Sequence, residues 1–249
     1  MKSIAYSRFL VTAESPELGF GLFSSAHFVW LALSAAVISS VSILYRKAAP
    51  SSRRYIRMTV AAVMLAVELL KAVLLMHAGE YDIGRLPLHL CGLSIYMVFL
   101  HSLFPRSGET VYSQFLFAFC MPGAAAALIF PDWVGYPLFS FMTFAGFTLH
   151  SLIVLYVIML VCSGDIVPDP RRLPSCTAIM LLIAVPVFFF DRLTGTNYMF
   201  LNYPSPGSPL EWFSFLGRPG YLLGFIPLSL IIWAVIYLPF ILRSQPGKK

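Results

Sequence analysis

The sequence predicts an all-α integral membrane protein, a single domain over residues 1–249 with seven transmembrane helices, its N-terminus outside and its C-terminus inside. Hydrophobic residues make up 59% of the chain and charged residues only 11%, whereas soluble domains carry about 25% charged residues. Uncharged runs reach the roughly 20 residues that a helix needs to cross a bilayer. Most lysine and arginine residues fall in the connections on one side of the membrane that these runs would cross. This composition excludes an ordinary soluble enzyme.

Six runs contain no Asp, Glu, Lys or Arg, and each is long enough for one crossing. They cover residues 18–45, 86–105, 110–131, 133–164, 173–190 and 219–242. A seventh run, residues 55–77, contains Glu68 and Lys71. Its many Val, Leu, Ala and Met residues offset two charges that cost about 2.5 to 3.5 kcal/mol each. We therefore predict helices at about residues 20–44, 56–77, 87–104, 110–130, 136–162, 174–190 and 220–242.

The orientation follows from the positions of the 17 Lys and Arg residues. With the N-terminus outside, the inner loops and tail contain Arg46, Lys47, Arg53, Arg54, Arg57, Arg106, Arg171, Arg172, Arg243, Lys248 and Lys249. The outer segments contain Lys2, Arg8, Arg85, Arg192 and Arg218. Positive residues accumulate in cytoplasmic loops, so this bias predicts the orientation. The net charge of +6 reflects topology, and we expect no nucleic-acid partner.

Polar side chains at membrane depth are costly, which makes each a candidate functional residue. Counted at 1.5 Å per residue, the outer half of the membrane holds one band of them: His27, Glu68, Lys71, His89, Cys91 and His150. His101 and Gln114 fall near the inner ends and outside this band. Cys120, Cys162 and Cys176 are expected to be small buried hydrophobic residues.

Glu68 and Lys71 lie three residues apart, so they share one helix face and can pair. One interpretation is a structural ion pair that holds the bundle together. The other is a functional pair that stabilises charge, or forms part of an ion or proton relay.

The segment from Leu86 to Cys91 places a thiol near the start of the third helix. Pro87 suits a first helical turn, and a helix N-terminus favours the thiolate that a cysteine nucleophile requires. His89 and Cys91 are two residues apart and point about 200° away from each other on a regular helix. A base for Cys91 would then come from His150 or His27. Gly146, one turn before His150, is expected to leave space for an approaching ligand.

Four elements together resemble the YwaF family of bacterial integral membrane proteins. They are Glu68-Leu-Leu-Lys71, Leu86-Pro-Leu-His-Leu-Cys91, His150, and Gly195-Thr-Asn-Tyr-Met-Phe-Leu201. That family is similar, more distantly, to animal membrane acyltransferases of ether phospholipids and to androgen-induced hydrolases of fatty-acid esters. The resemblance implies a multi-pass protein of a bacterial cytoplasmic membrane that acts on lipid esters, with Cys91 as nucleophile and His150 as base.

Further residues complete the predicted site. His89 is expected to assist Cys91, while His27, Glu68 and Lys71 stabilise charge. Asn197 and Tyr198 are expected to contact the substrate, because they lie in residues 191–218, the one connection long enough to cap a site. We expect a membrane lipid as partner and no cofactor.

Two alternatives remain open at this stage. In one, zinc ligands come from His27, His77, Asp82, His89 and His150, because imidazole suits zinc. In the other, the chain is a transporter or membrane sensor that uses the intramembrane pair of Glu68 and Lys71.

Overall fold

A computed structural model describes residues 9, 10, 12, 14, 16–104 and 110–244. Lys2, Arg8, Arg106, Lys248 and Lys249, which entered the orientation argument, lie outside the described residues, as does the side chain of Arg243. The described part of the chain is helical and contains no β-strand. The long helices are α1 Ser25–Lys47, α2 Pro50–Ala78, α3 Leu90–Leu103, α4 Val111–Ile129, α5 Phe141–Ser163, α6 Leu173–Thr194 and α7 Phe225–Ser244.

Six of these helices are long and apolar enough to cross a membrane, and α3 is a shorter apolar helix of 14 residues. At 1.5 Å per residue α3 is about 21 Å long, less than the roughly 30 Å of a hydrocarbon core. The prediction of seven helices therefore agrees with the structure in number, whereas α3 does not have the length of a full crossing.

The helix α3 is short because it begins three residues later than the sequence predicted. His89 is its N-cap, with an extended backbone (ψ 149°), and Pro87 lies before the helix and outside its first turn. The Leu88 N–H donates to the Leu86 carbonyl across Pro87 at 2.8 Å. A Cβ at Gly92 would meet the Pro87 carbonyl oxygen at 2.9 Å, so this tight turn folds back onto the helix that follows it.

The helix α5 forms the centre of the bundle. Its buried residues lie on all of its faces, and it packs against α1, α2, α3 and α4. Ser151 on α5 donates to Ser34 on α1 at 2.8 Å, so this contact between the helices includes a polar pair. Cys120 and Cys176 are buried as predicted, whereas Cys162 on the last turn of α5 is exposed.

A polar cluster ties the helices together at the basic end of the bundle. Asp165, just after α5, accepts a hydrogen bond from Tyr45 at 2.6 Å and pairs with Arg53 and Arg57 at 3.4 Å each. Gln114 bonds the backbone of Val167 and Asp169 in the same connection. His101 bonds Tyr156 at 2.9 Å. Gln114 and His101 are thus held by partners of their own.

The helix α4 contains a π-helical segment, Leu116–Cys120, that anchors α7. Pro122 has no N–H, so the Ala118 carbonyl, four residues earlier, lacks its usual helical donor. The Trp233 indole on α7 fills this position and donates to Ala118 at 2.9 Å. A defect in one helix therefore fixes the position of another.

We expect Trp233→Phe to lower the free energy of unfolding by about 1 kcal/mol, because the Ala118 carbonyl loses its donor in an apolar environment. The same change should cost less in a Pro122→Ala background, where the new N–H at position 122 can bond that carbonyl. Thermal unfolding in detergent measures both losses, and equal losses in the two backgrounds would contradict this account.

Candidate active site

Cys91 is the second residue of α3 and is partly buried. The His89 side chain does not cap the helix, and the first N–H groups of a helix have no intrahelical acceptor. The thiol therefore lies beside the first backbone N–H groups of α3 and the positive end of the helix dipole. Cys120 on α4 is an electrostatic neighbour of Cys91, together with Lys71 and Asp132.

His150, on α5, has a defined tautomer. Its Nδ1 lies 2.7 Å from the Gly146 carbonyl oxygen, and because a carbonyl only accepts, Nδ1 carries the proton. In the neutral ring Nε2 then keeps its lone pair and can take a proton. This is the arrangement that a general base needs.

The space expected beside Gly146 is filled by Trp133. The Trp133 indole stacks on the His150 imidazole with ring centres 4.6 Å apart and an interplanar angle of 21°. A Cβ at Gly146 would lie 2.7 to 2.9 Å from atoms of this indole. The expectation of space for a ligand at Gly146 was therefore wrong. The glycine makes room for the Trp133 indole, which stacks on His150 and fixes the orientation of its ring.

His89 has the opposite tautomer. Its Nδ1 accepts a hydrogen bond from the Met199 N–H at 3.2 Å, so the proton of the neutral ring is on Nε2. Tyr198 and Phe200 pack against the ring with centres 5.1 and 5.5 Å away. In the neutral rings, Nε2 of His89 is therefore a hydrogen-bond donor, whereas Nε2 of His150 is an acceptor.

The three predicted catalytic residues share one electrostatic environment. The charges of Lys71 and Asp132 act on His89, Cys91 and His150, and His89 also acts on His150. Within the described residues, no hydrogen bond joins the Cys91 thiol to either imidazole. The same two charges thus reach all three residues, and the described structure contains no closed thiol–imidazole pair.

Asp132 and Trp133 are residues of this site that the sequence analysis missed. Both follow Pro131 in the connection between α4 and α5. The available signal was a carboxylate and a tryptophan directly after a long uncharged run. Both residues lie in a connection, outside the predicted helices that supplied the candidate residues.

Glu68 and Lys71 form the ion pair that their spacing predicts, with 2.6 Å between Lys71 Nζ and Glu68 Oε2. The Glu68 side chain is 9% exposed and the Lys71 side chain 31%. Lys71 thus has a buried counter-charge while its own charge acts on Cys91 and both histidines.

His27 is fully buried and uses both ring nitrogens within the protein. Nδ1 accepts from the Phe23 N–H at 3.0 Å, and Nε2 donates to the Leu128 carbonyl at 2.9 Å. Leu128 is in the last turn of α4, whose carbonyls lack intrahelical donors. His27 therefore links α1 to the end of α4 and has no nitrogen left for a substrate.

Asn197 and Tyr198 lie in residues 195–203, which we call the post-α6 loop. The Asn197 side chain bonds the backbone of Asn202 and Tyr203. The Tyr198 hydroxyl donates to the Ile83 carbonyl at 2.6 Å. The polar atoms of both side chains thus hold the loop against the segment before α3.

The zinc alternative lacks its ligand set in the part of the chain that the structure describes, where no three His, Cys, Asp or Glu side chains are close enough to hold a metal ion. Asp82 instead accepts a hydrogen bond from the Gly84 N–H at 2.8 Å. His27 is occupied by backbone partners. The five residues predicted as zinc ligands therefore do not form a metal site in the described part of the chain.

Gly146→Ala should destabilise the protein by about 1 to 3 kcal/mol, because the added methyl group overlaps the Trp133 indole in a packed region. Thermal unfolding in detergent measures the loss, and tryptophan fluorescence reports the displaced indole. Thr148→Ala, two residues along α5, is the matched control. Equal behaviour of the two variants would rule out this packing.

Lys71→Met should lower the free energy of unfolding by about 3 kcal/mol, because it leaves the buried Glu68 carboxylate without a counter-charge. The double variant Glu68→Gln with Lys71→Met should lose less, since it removes both charges. Denaturation in detergent compares the two. A double variant as unstable as the single one would show that the pair is not coupled.

Comparison with known proteins identifies the family. Neither the curated proteins nor the solved structures contain a match to this chain. The family model of the TMEM164 family matches residues 22–237, a range that includes all seven helices in whole or in part. This match supports a membrane protein and carries neither the YwaF name nor an acyltransferase activity. The chain belongs to the TMEM164 family.

Proposed function

We propose that this protein is a membrane enzyme that transfers or hydrolyses the acyl groups of lipid esters through Cys91. One observation carries the proposal: two histidines with opposite tautomers share the environment of a thiol at a helix N-terminus. His150 offers a base, His89 offers a donor, and Cys91 offers the nucleophile. These are the roles that acyl transfer through a thioester requires.

The proposed reaction has two halves, the acylation and the deacylation of Cys91, and the same groups act in both. The Cys91 sulfur attacks the ester carbonyl while His150 Nε2 takes the thiol proton. The negative charge that develops on the carbonyl oxygen is stabilised by the N-terminal N–H groups of α3 and by His89 Nε2–H. The C–O bond then breaks, His150 returns the proton to the leaving alcohol, and the acyl group remains on Cys91. Water or the hydroxyl of a second lipid then attacks the thioester carbonyl while His150 Nε2 takes its proton. The C–S bond breaks, and His150 returns the proton to the Cys91 sulfur.

The proposal requires that substrate binding close the gap between the Cys91 thiol and His150. Catalytic hydrogen bonds in ligand-free enzymes are often long and tighten in the complex. Lys71 supports the same step, because a cation near the thiol favours the thiolate. Its partner Glu68 keeps that cation in place.

The position of the site supports a membrane lipid as the substrate. The described basic residues favour one end of the bundle, with Arg46, Lys47, Arg53, Arg54, Arg57, Arg171 and Arg172 at that end. Cys91 is near the opposite end, together with Arg85, Arg192 and Arg218. The positive-inside rule supports an N-terminus outside and a site in the outer half of the membrane, and the resemblance to a bacterial family favours a bacterial cytoplasmic membrane. There, a glycerolipid ester can enter sideways from the bilayer.

Transport or sensing is the second candidate, and one observation favours it. The Glu68–Lys71 pair is a salt bridge on a helix long enough to span the membrane, and such pairs mark ion and proton pathways. Uptake in proteoliposomes that is lost in Glu68→Gln, with lipid composition unchanged, would support this function over catalysis.

Cys91→Ala should abolish both turnover and a hydroxylamine-sensitive acyl adduct on the protein, because the thioester cannot form. His150→Phe should lower the rate of acylation by about 10² to 10⁴-fold, the usual contribution of a general base, while keeping a ring stacked on Trp133. Lipidomics of cells that carry each variant, together with mass spectrometry of the purified protein, measures both effects.

The matched controls are Cys162→Ala, which removes an exposed thiol on α5, and His77→Phe, which replaces an exposed histidine at the end of α2. Both should behave as the unmodified protein. Undiminished turnover by a folded Cys91→Ala protein contradicts the proposal. Lipid profiles that are identical in all strains, including one without the protein, would also contradict the proposal and favour transport.

A further inference from the structure

Asp191, in the last turn of α6, is fully buried and organises the post-α6 loop. Its Oδ1 accepts from the Thr196 hydroxyl at 2.6 Å and from the Tyr198 N–H at 3.0 Å. Its backbone carbonyl accepts from the Asn202 side chain at 3.0 Å and from the Gly195 N–H at 2.9 Å. Both ends of the loop are thus tied to one residue.

The second carboxylate oxygen of Asp191 has no hydrogen-bond partner within the described residues. A buried polar atom without a partner costs about 1 to 3 kcal/mol, and more when it is charged. Asparagine would offer the same Oδ1 to Thr196 and Tyr198 without a buried charge. Asp191 is also one of two carboxylates whose charge acts on His89.

The loop that Asp191 holds contains two consecutive strained residues. Met199 and Phe200 have φ angles of 52° and 58°, in the left-handed region that costs a residue other than glycine about 1 to 2 kcal/mol. The Tyr221 hydroxyl donates to the Phe200 carbonyl at 2.7 Å and stabilises this turn. The turn directs the Met199 N–H at His89 Nδ1, so the strain occurs where the loop meets the site.

We propose that Asp191 is a positioning residue that acts through His89. By holding the post-α6 loop, it keeps the Met199 N–H on His89 Nδ1, so that His89 presents Nε2–H to the oxygen of the reacting ester. This role rests on the proposed function only for its effect on turnover. The effect on the hydrogen bond between Met199 and His89 does not depend on any activity.

The first test measures amide hydrogen exchange at Met199 in detergent or nanodiscs. In Asp191→Ala the Met199 amide should exchange at least about 10-fold faster, because loss of the loop contacts opens its bond to His89. The Leu93 amide, which donates to the His89 carbonyl at 3.0 Å, should keep its rate. Leu193→Ala, which shortens an exposed side chain in the same turn of α6, is the matched control.

The second test is a double-mutant cycle with His89→Phe, which keeps a ring against Tyr198 and Phe200 and removes both nitrogens. Asp191→Asn keeps the Oδ1 acceptor and should therefore keep the loop and the acylation rate. Thr196→Val, which removes the hydroxyl that donates to Asp191 Oδ1, is the variant to use if Asp191→Ala does not fold. The Asp191→Ala variant should slow Cys91 acylation by about 10²-fold, the effect of a misplaced catalytic group. In the His89→Phe background it should have little further effect, because the two residues act as a unit.

The outcomes separate the two proposals. Equal slowing by the Asp191 variant in both backgrounds would show a general structural role and overturn the positioning role. An unchanged Met199 exchange rate in a folded Asp191→Ala protein would overturn it as well. If no variant or parent forms an acyl adduct, the proposed function fails, while the exchange rate at Met199 still decides whether Asp191 controls His89.

Discussion

The constraint on which this structure depends is that polar groups inside a membrane must find their partners within the protein, because the hydrocarbon core offers none. The chain meets this constraint with side chains that reach carbonyls a helix leaves unpaired. His27 bonds the Leu128 carbonyl in the last turn of α4. Trp233 bonds the Ala118 carbonyl that Pro122 deprives of a donor. Each of these bonds joins two helices, so the same contact pairs a backbone carbonyl and packs the helices together.

The same constraint separates structural histidines from candidates for chemistry. His27 has a fixed backbone partner on each ring nitrogen, and His101 has Tyr156 and Ser113. For His150 and His89 one nitrogen is held by the backbone, and Nε2 carries no hydrogen bond within the described residues. A histidine held through one nitrogen is oriented and still reactive. Composition and spacing do not distinguish these two groups, because the distinction depends on which carbonyls and N–H groups lie nearby.

Much of the fold could be predicted from hydrophobic runs, since crossing a bilayer requires long apolar helices. The seven helices overlap the predicted ranges, although α3 is shorter and the ends of the others differ by up to six residues. That difference arises from the tight turn around Pro87 and its contact with Gly92, which no count of apolar residues detects. The candidate site was predicted in part. Glu68 and Lys71 pair because three residues separate them on one helix, whereas Asp132, Trp133 and Asp191 belong to connections and helix ends that a search within helices does not reach.

The sequence by itself determined that this is a helical membrane protein, because apolar composition and run length act locally and need no knowledge of packing. It also determined the short-range pair of Glu68 and Lys71. The tertiary structure alone decided the tautomers of His89 and His150, the occupation of the space at Gly146 by Trp133, and the hydrogen bonds between Asp191 and the post-α6 loop. Each of these depends on a contact between residues far apart in the chain or on an unusual backbone angle, and such contacts exist only once the helices have packed.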